Sequence, residues 1–306
     1  MKIVFAGAGA VGCHYGSRLI QAGFDVLLLA RGEHLTALQQ HGLKHQSDGA
    51  CKQIPVQATA DIEQLNRCKI VILCCKMTAL SQMLASLQHI LHPEALILTL
   101  QNGVEAPDMA ASAFPDHAVA TGTAFIGARI EAPGYVVHSA AGGLRMGLWQ
   151  LGRGAQHLPW LIQACRDAAI PIRQDDDPAA LLWRKLLWNC GFNAITAITR
   201  RYASDMAANS ETVAIVRQAM QETVAVGHAL GIAIGAEDIE KHIDITLTMG
   251  PVKTSMWQDI EAGRRTEVDY INGYVASQAE AMQLPAAANR MLASLIHAIE
   301  AAPDKK

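Results

Sequence analysis

Apolar residues fall first in short unbroken runs and later at helical spacing, and this change of period divides the chain. The runs over 2–6, 25–30, 69–75 and 95–100 are too continuously apolar for half-exposed strands and suit parallel strands buried on both faces. Helices are expected between them: over 10–22, where Val11, Leu19 and Ile20 suit one packed face, over 34–41, over about 78–91, and after Glu105. This alternation implies a doubly wound parallel sheet with ligands beyond the carboxyl ends of its strands. Residues 42–58 read as an irregular or hairpin excursion. From 118 to 148 the pattern turns β-branched and glycine-rich. Strands over 119–130, 135–138 and 143–147, with a turn at Ala132-Pro133-Gly134, would extend the sheet, partly antiparallel. A helix over 156–169 and a strand over 170–173 follow. Asp175-Asp176-Asp177-Pro178 is then a polar hinge. Beyond it the chain is nearly all helical pattern, over 181–198, 210–230, 236–246, 255–262, 268–282 and 286–301.

The first strand runs directly into Gly7-Ala8-Gly9-Ala10-Val11-Gly12, which opens the first helix. In that context the three glycines form a dinucleotide-binding fingerprint: Gly7 permits the tight turn, Gly9 the approach of a pyrophosphate, and Gly12 close helix–strand packing. The diphosphate would sit at the helix N-terminus, where unpaired N–H groups favour an anion. The expected fold is therefore a Rossmann-type doubly wound parallel sheet over 1–175, followed by an all-α C-terminal domain over 178–302. The second domain packed against the first would create a cleft in which substrate meets cofactor. The second strand ends Ala30-Arg31-Gly32, with no carboxylate at its tip although Glu33 follows closely, so Arg31 is read as a 2′-phosphate clamp rather than a mere surface residue, and the cofactor as NADPH/NADP+. Lys76 and Asn102 also fall at strand ends and become site candidates together.

Composition narrows the class. A net charge of −3 without any basic stripe argues against nucleic acid or an anionic membrane surface as a partner, and the terminal Lys305-Lys306 reads as a solvated tail. The seven cysteines lack C-x-x-C spacing and the twelve histidines, among them His14, His89 and His92, are spread out, so neither a disulfide framework nor a metal site is expected. No apolar run approaches the roughly 20 residues of a membrane span. Met1 leads straight into the first strand without room for a signal or transit peptide, and the expected compartment is the cytoplasm.

In the helix over 181–198, Lys185, Asn189 and Asn193 recur at spacings of four and lie along one stripe of an otherwise apolar helix. Polar groups on a buried line need partners. A bound oxyacid could be that partner, with the asparagine amides on its carboxylate and hydroxyl and Lys185 on its carbonyl oxygen; a solvent-facing stripe or asparagines capping neighbouring segments is the alternative. Burial would depress the pKa of Lys185 and a nearby carboxylate would oppose that shift, with the outcome open.

Taken together, Gly7/Gly9/Gly12, Arg31, Lys76, Gln101-Asn102-Gly103, the Lys185/Asn189/Asn193 series and Ser255-Met256-x-x-Asp259 leading to Glu267-x-Asp269-x-x-Asn272-Gly273 resemble the ketopantoate reductase family, in order from Lys2 to about Asn289. The resemblance implies NADPH-dependent reduction of 2-dehydropantoate to (R)-pantoate, a step toward pantothenate and coenzyme A. It makes Lys185 the proton donor and Asn189, Asn193 and Ser255 substrate-binding. It places Asn102 on both cofactor and substrate, and Lys76 and Glu267 near the cofactor and active centre. After Asn193 the chain runs Ala194 to Ala203 without the additional asparagine that some family members place there, and Trp183, Trp188 and Trp257 stand near the motifs. A related branched 2-oxo acid is therefore an alternative substrate. A non-catalytic NADP-sensing protein on the same fold is the alternative function. The helical domain is a candidate for homodimer contacts.

Overall fold

The chain starts as expected, with β1 (Ile3–Ala6), α1 (Ala10–Gln21), β2 (Val26–Leu29) and α2 (Gly32–His41). In this computed structural model, which describes residues 1–301, β3 (Leu43–Ser47), β4 (Ala50–Ile54) and β5 (Gln57–Thr59) come next, then a 3₁₀ turn over Ile62–Arg67, β6 (Ile70–Leu73), α3 (Met77–Leu87), β7 (Leu96–Thr99) and α4 (Ala106–Ala113). The long β8 (Ala118–Ala132) and β9 (Tyr135–Gln150), α5 (His157–Asp167) and β10 (Ile172–Gln174) complete this part. Eight helices or helical turns follow: α6 (Pro178–Thr199), α7 (Ala203–Ala208), α8 (Ser210–Ala229), α9 (Ala236–Leu247), α10 (Ser255–Glu261), a 3₁₀ turn over Val268–Tyr270, α11 (Asn272–Ala281) and α12 (Ala287–Glu300). By packing, the described chain forms two units, Met1–Gln101 with Glu105–Pro178, and Asn102–Val104 with the chain from Ala179 on. The end of the expected second domain at 302 and the Lys305-Lys306 tail lie outside the described residues.

The first unit is a single sheet in the order β4-β3-β9-β8-β7-β6-β1-β2-β5, with β10 alongside β9. From β8 to β5 every pairing is parallel, with Ile3 of β1 opposite both Val26 of β2 and Ile70 of β6. β1, β2, β6 and β7 are buried at every position, which is why their sequences lack the alternation of a half-exposed strand. Their side chains meet Tyr15 and Leu19 of α1 and Leu158, Leu161 and Ile162 of α5 in one core. β8 and β9 pair antiparallel, giving the sheet its expected antiparallel part.

Two expectations are corrected in detail. The strands over 135–138 and 143–147 are one strand, because a bulge absorbs the small residues between them: Ala141 (φ 57°) and Gly142 (φ 117°) adopt the left-handed region where the ladder skips from Phe125↔Gly143 to Ile126↔Ala141. The 42–58 excursion is the antiparallel β3–β4 hairpin followed by β5 parallel to β2. A buried histidine pair ties the hairpin to α1: His14 Nδ1 and His45 Nε2 share a hydrogen bond of 3.1 Å, and the His14 ring lies 4.3 Å from that of His138 on β9. Burial foremost, then the neighbouring cationic groups, pushes His14 down to about 3 and His45 to about 4, so both act as neutral core groups.

The second correction concerns the expected helix over 268–282, which is broken at Ile271 (φ −118°, ψ −98°). There the Tyr270 carbonyl is turned onto the backbone of Gly103, 2.8 Å from where a Cβ would stand. The Asn272 amide donates to Cys190 O and Asn289 Oδ1, each at 2.9 Å, anchoring the start of α11 in the helical unit. No described helix is long and apolar enough to cross a membrane.

Candidate active site

In the first unit the glycine motif forms a cradle that side chains would fill. Gly7 (φ 123°) has no room for a Cβ, which would stand 2.5 Å from Cys75 N just beyond β6, and a Cβ on Gly12 would stand 2.3 Å from Gly7 O. Gly9 differs. A Cβ there meets nothing within 4 Å, and its φ of −75° suits any residue. The space before Gly9 is thus open to a ligand, and the N-terminus of α1 has no side-chain cap on its N–H groups. This fits a diphosphate, with Ala8, Ala10 and Val11 supplying backbone between the glycines. Gly9→Ala is expected to keep the wild-type melting temperature within about 2 °C while weakening nicotinamide dinucleotide binding roughly tenfold or more. Gly7→Ala should instead lower the melting temperature by several degrees, roughly the cost of a backbone clash. Thermal unfolding with and without nucleotide separates the two effects.

Arg31 and Lys76 begin the helices that follow two strands. Arg31 is the exposed N-cap residue of α2, and Lys76, half-buried, is that of α3. Both therefore lie beyond strand carboxyl ends of the sheet, β2 and β6, where a doubly wound fold binds its ligands.

The second unit holds the remaining candidates. α6 is buried along most of its length, and Asn189 and Asn193 are only 4% and 1% exposed. Asn189 Nδ2 and both Nδ2 and Oδ1 of Asn193 are buried without a hydrogen-bond partner. An unpaired buried amide costs about 1–3 kcal/mol. The two asparagines are therefore not solvent-facing, and these three atoms are not spent on capping, the two alternatives the sequence left open. One turn earlier Lys185 is half-buried, with burial lowering its pKa to about 8 against the opposing attraction of Glu267. Desolvation wins the contest that the sequence left open.

Glu267 is itself buried, and its Oε2 accepts a 3.0 Å hydrogen bond from Asn102 Nδ2. Asn102 is thus brought onto Glu267, and Glu267 into the electrostatic reach of Lys185. Ser255 stands apart in its surroundings: it is the exposed first residue of α10, just after Thr254, whose hydroxyl accepts from Trp257 N at 3.3 Å. Asp259, one turn on, is buried and ion-paired to Arg264 at 3.1 Å. The sequence reading overlooked Thr196, whose buried hydroxyl lies 2.8 Å from that of Thr254. A Thr-Ser pair opening a helix was the available signal for one end of that contact. Among the described residues no group of three or more His, Cys, Asp or Glu side chains is placed to hold a metal ion.

Sequence comparison bears directly on this arrangement. Residues 3–150 match the family described as ketopantoate reductase PanE/ApbA, and residues 178–300 match its C-terminal part. The chain belongs to the ketopantoate reductase family. A 2-dehydropantoate 2-reductase of Mesorhizobium japonicum is 30% identical over 88% of each chain. A PanE/ApbA family ketopantoate reductase from Ralstonia eutropha JMP134 superposes with a TM-score of 0.90 at 32% identity, covering 98% of each chain. A D-mandelate dehydrogenase, solved with NADH and anilino(oxo)acetate, superposes with a TM-score of 0.91 at 25% identity, also over 98% of each chain. The family is one of oxidoreductases, and both the Rossmann-type sheet and the all-α C-terminal part expected from the sequence are those of its members.

Proposed function

We propose that this chain reduces 2-dehydropantoate to (R)-pantoate with NADPH. The observation that carries the reading is the set of three unpaired, buried amide atoms on Asn189 and Asn193, aligned along α6 with a lysine of lowered pKa. Two of those atoms are donors and one, on Asn193, is an acceptor. A 2-oxo acid without a hydroxyl satisfies only donors, whereas one that also carries a hydroxyl, as 2-dehydropantoate does, satisfies all three. This favours 2-dehydropantoate over the aryl oxo acids that the mandelate dehydrogenase neighbour suggests.

A bound nicotinamide would supply the hydride. The residues proposed to hold it are Gly7 to Gly12 for the diphosphate, Arg31 for a 2′-phosphate, and Lys76, Asn102 and Glu267 nearer the reacting end. Lys185 places a positive charge where the ketone oxygen gains negative charge and then gives that oxygen a proton. Near neutral pH a lysine of pKa about 8 is mostly protonated, and it yields its proton more readily than an ordinary lysine. Glu267, held by Asn102, favours the charged ammonium. Asn102, Asn189, Asn193 and Ser255 bind the substrate. A protein that only sensed NADP would gain nothing from leaving the α6 amides unpaired, which disfavours that reading.

The test is a panel of branched 2-oxo acids, with and without a hydroxyl, given NADPH or NADH. The reading expects substrate-dependent loss of the nicotinamide absorbance, greatest for 2-dehydropantoate with NADPH. Tight NADPH binding with no turnover on any oxo acid would instead favour the sensor. For the cofactor, Arg31→Ala is expected to weaken NADPH binding about tenfold and NADH binding less than twofold, measured by fluorescence titration. An unchanged preference removes Arg31 from the argument.

A further inference from the structure

Two buried hydroxyls join α6 to the start of α10. Thr196 is fully buried, and Thr254 is 5% exposed. Thr196 Oγ1 lies 2.7 Å from Phe192 O and 3.1 Å from Asn193 O on its own helix, and 2.8 Å from Thr254 Oγ1. Thr254 Oγ1 in turn accepts from Trp257 N at 3.3 Å, as the N-cap of α10. Each hydroxyl has one proton, and one allocation satisfies the whole chain. Trp257 N–H donates to Thr254, the Thr254 hydroxyl donates to Thr196, and the Thr196 hydroxyl donates to the carbonyls of the preceding turn.

The position of this pair gives it a use. Thr196 sits one turn beyond Asn193, and its hydroxyl reaches the Asn193 carbonyl itself. Thr254 is the residue before Ser255. We propose that the buried Thr196–Thr254 hydroxyl pair is a positioning device that fixes Ser255 relative to Asn189 and Asn193, and so sets affinity for the 2-oxo acid. The inference rests on the reading of those three residues as substrate-binding. Neither threonine touches the substrate. Their work is to hold two substrate-binding segments, far apart in sequence, in one geometry, and a hydrogen bond between rigid helix positions does this with little freedom left to lose.

Thr196→Val keeps the shape and removes the hydroxyl. It is expected to raise KM for the 2-oxo acid roughly tenfold, leaving kcat and the KM for NADPH within about twofold. Thr196→Ser restores the hydroxyl and should return KM to the wild-type value. In a Ser255→Ala background, which raises KM by itself, Thr196→Val should add less than about twofold, because its route to the substrate is already lost. Thr254→Val reads the same pair from its other end, with the same rise in KM and a lower melting temperature from the lost cap. A folded Thr196→Val enzyme with wild-type KM overturns the inference, as does a full tenfold effect persisting in Ser255→Ala, or failure of Thr196→Ser to rescue. In each of those cases the functional reading survives, since the wild type still turns over. A wild type that reduces no 2-oxo acid overturns both.

Discussion

Replacing Lys185 with methionine is expected to lower kcat for 2-oxo acid reduction by roughly 10²–10⁴-fold, the usual worth of a positioned general acid, while NADPH affinity stays within about twofold. The same lysine couples folding to pH. In the folded chain the pKa of Lys185 lies at about 8, below the 10.5 of an ordinary lysine, and the shift already contains the attraction of Glu267. Between those two values the unfolded chain binds the extra proton, so stability rises with pH through the window and the cost of the buried charge is fully present below it. A neutral side chain of similar length does not titrate there, so Lys185→Met lacks this pH dependence. The wild type should therefore gain on Lys185→Met as pH rises from 8 to 10, measured by chemical unfolding at each pH. The catalytic counterpart has the same origin. kcat/KM for reduction should fall above an apparent pKa near 8, because only the protonated lysine donates. A variant that loses NADPH binding as much as turnover would show Lys185 to be structural.

That the lysine is poised in this way was half legible in the sequence. The opposing influences of burial and a nearby carboxylate could be named from residue types and the family resemblance pointed to Glu267, but their balance depends on how closely the helical segments pack, and no spacing encodes that. The parallel strands were plain because burial on both faces leaves continuous runs such as Ile70-Val71-Ile72-Leu73. The bulge at Ala141–Gly142 and the break at Ile271 were not, since each answers a partner distant in sequence: the β8 ladder in one case and Gly103, Cys190 and Asn289 in the other. The α6 stripe lay between these extremes. Its spacing of four was visible, but spacing alone could not distinguish a buried stripe with unpaired atoms from a solvated one. The Thr196–Thr254 contact spans 58 residues and joins hydroxyls of a type found anywhere, so only the fold could bring it out.

The stripe also supplies the second large effect. Asn193→Leu keeps the branching and heavy-atom number of the side chain at a site 1% exposed, and it removes two buried polar atoms that have no partner. Where an asparagine has a structural role, this substitution strips hydrogen bonds and destabilises by several kcal/mol. Here the sign should reverse, with a gain of about 1–3 kcal/mol in unfolding free energy, because the unpaired amide is desolvated without compensation until a ligand arrives. Function should move the other way. Losing a donor and an acceptor to the substrate is expected to raise KM for 2-dehydropantoate about a hundredfold or more, with the KM for NADPH nearly unchanged. Asn193→Asp sharpens the test by keeping the acceptor but opposing a carboxylate with a second negative charge, and it should bind the oxo acid worse still. A site held at a cost to stability and made good by its ligand should also show the converse in the wild type, a melting temperature that rises with added 2-oxo acid. That rise should vanish in Asn193→Leu. If Asn193→Leu is instead destabilised and keeps its KM, the amide is part of the scaffold and the substrate is held elsewhere.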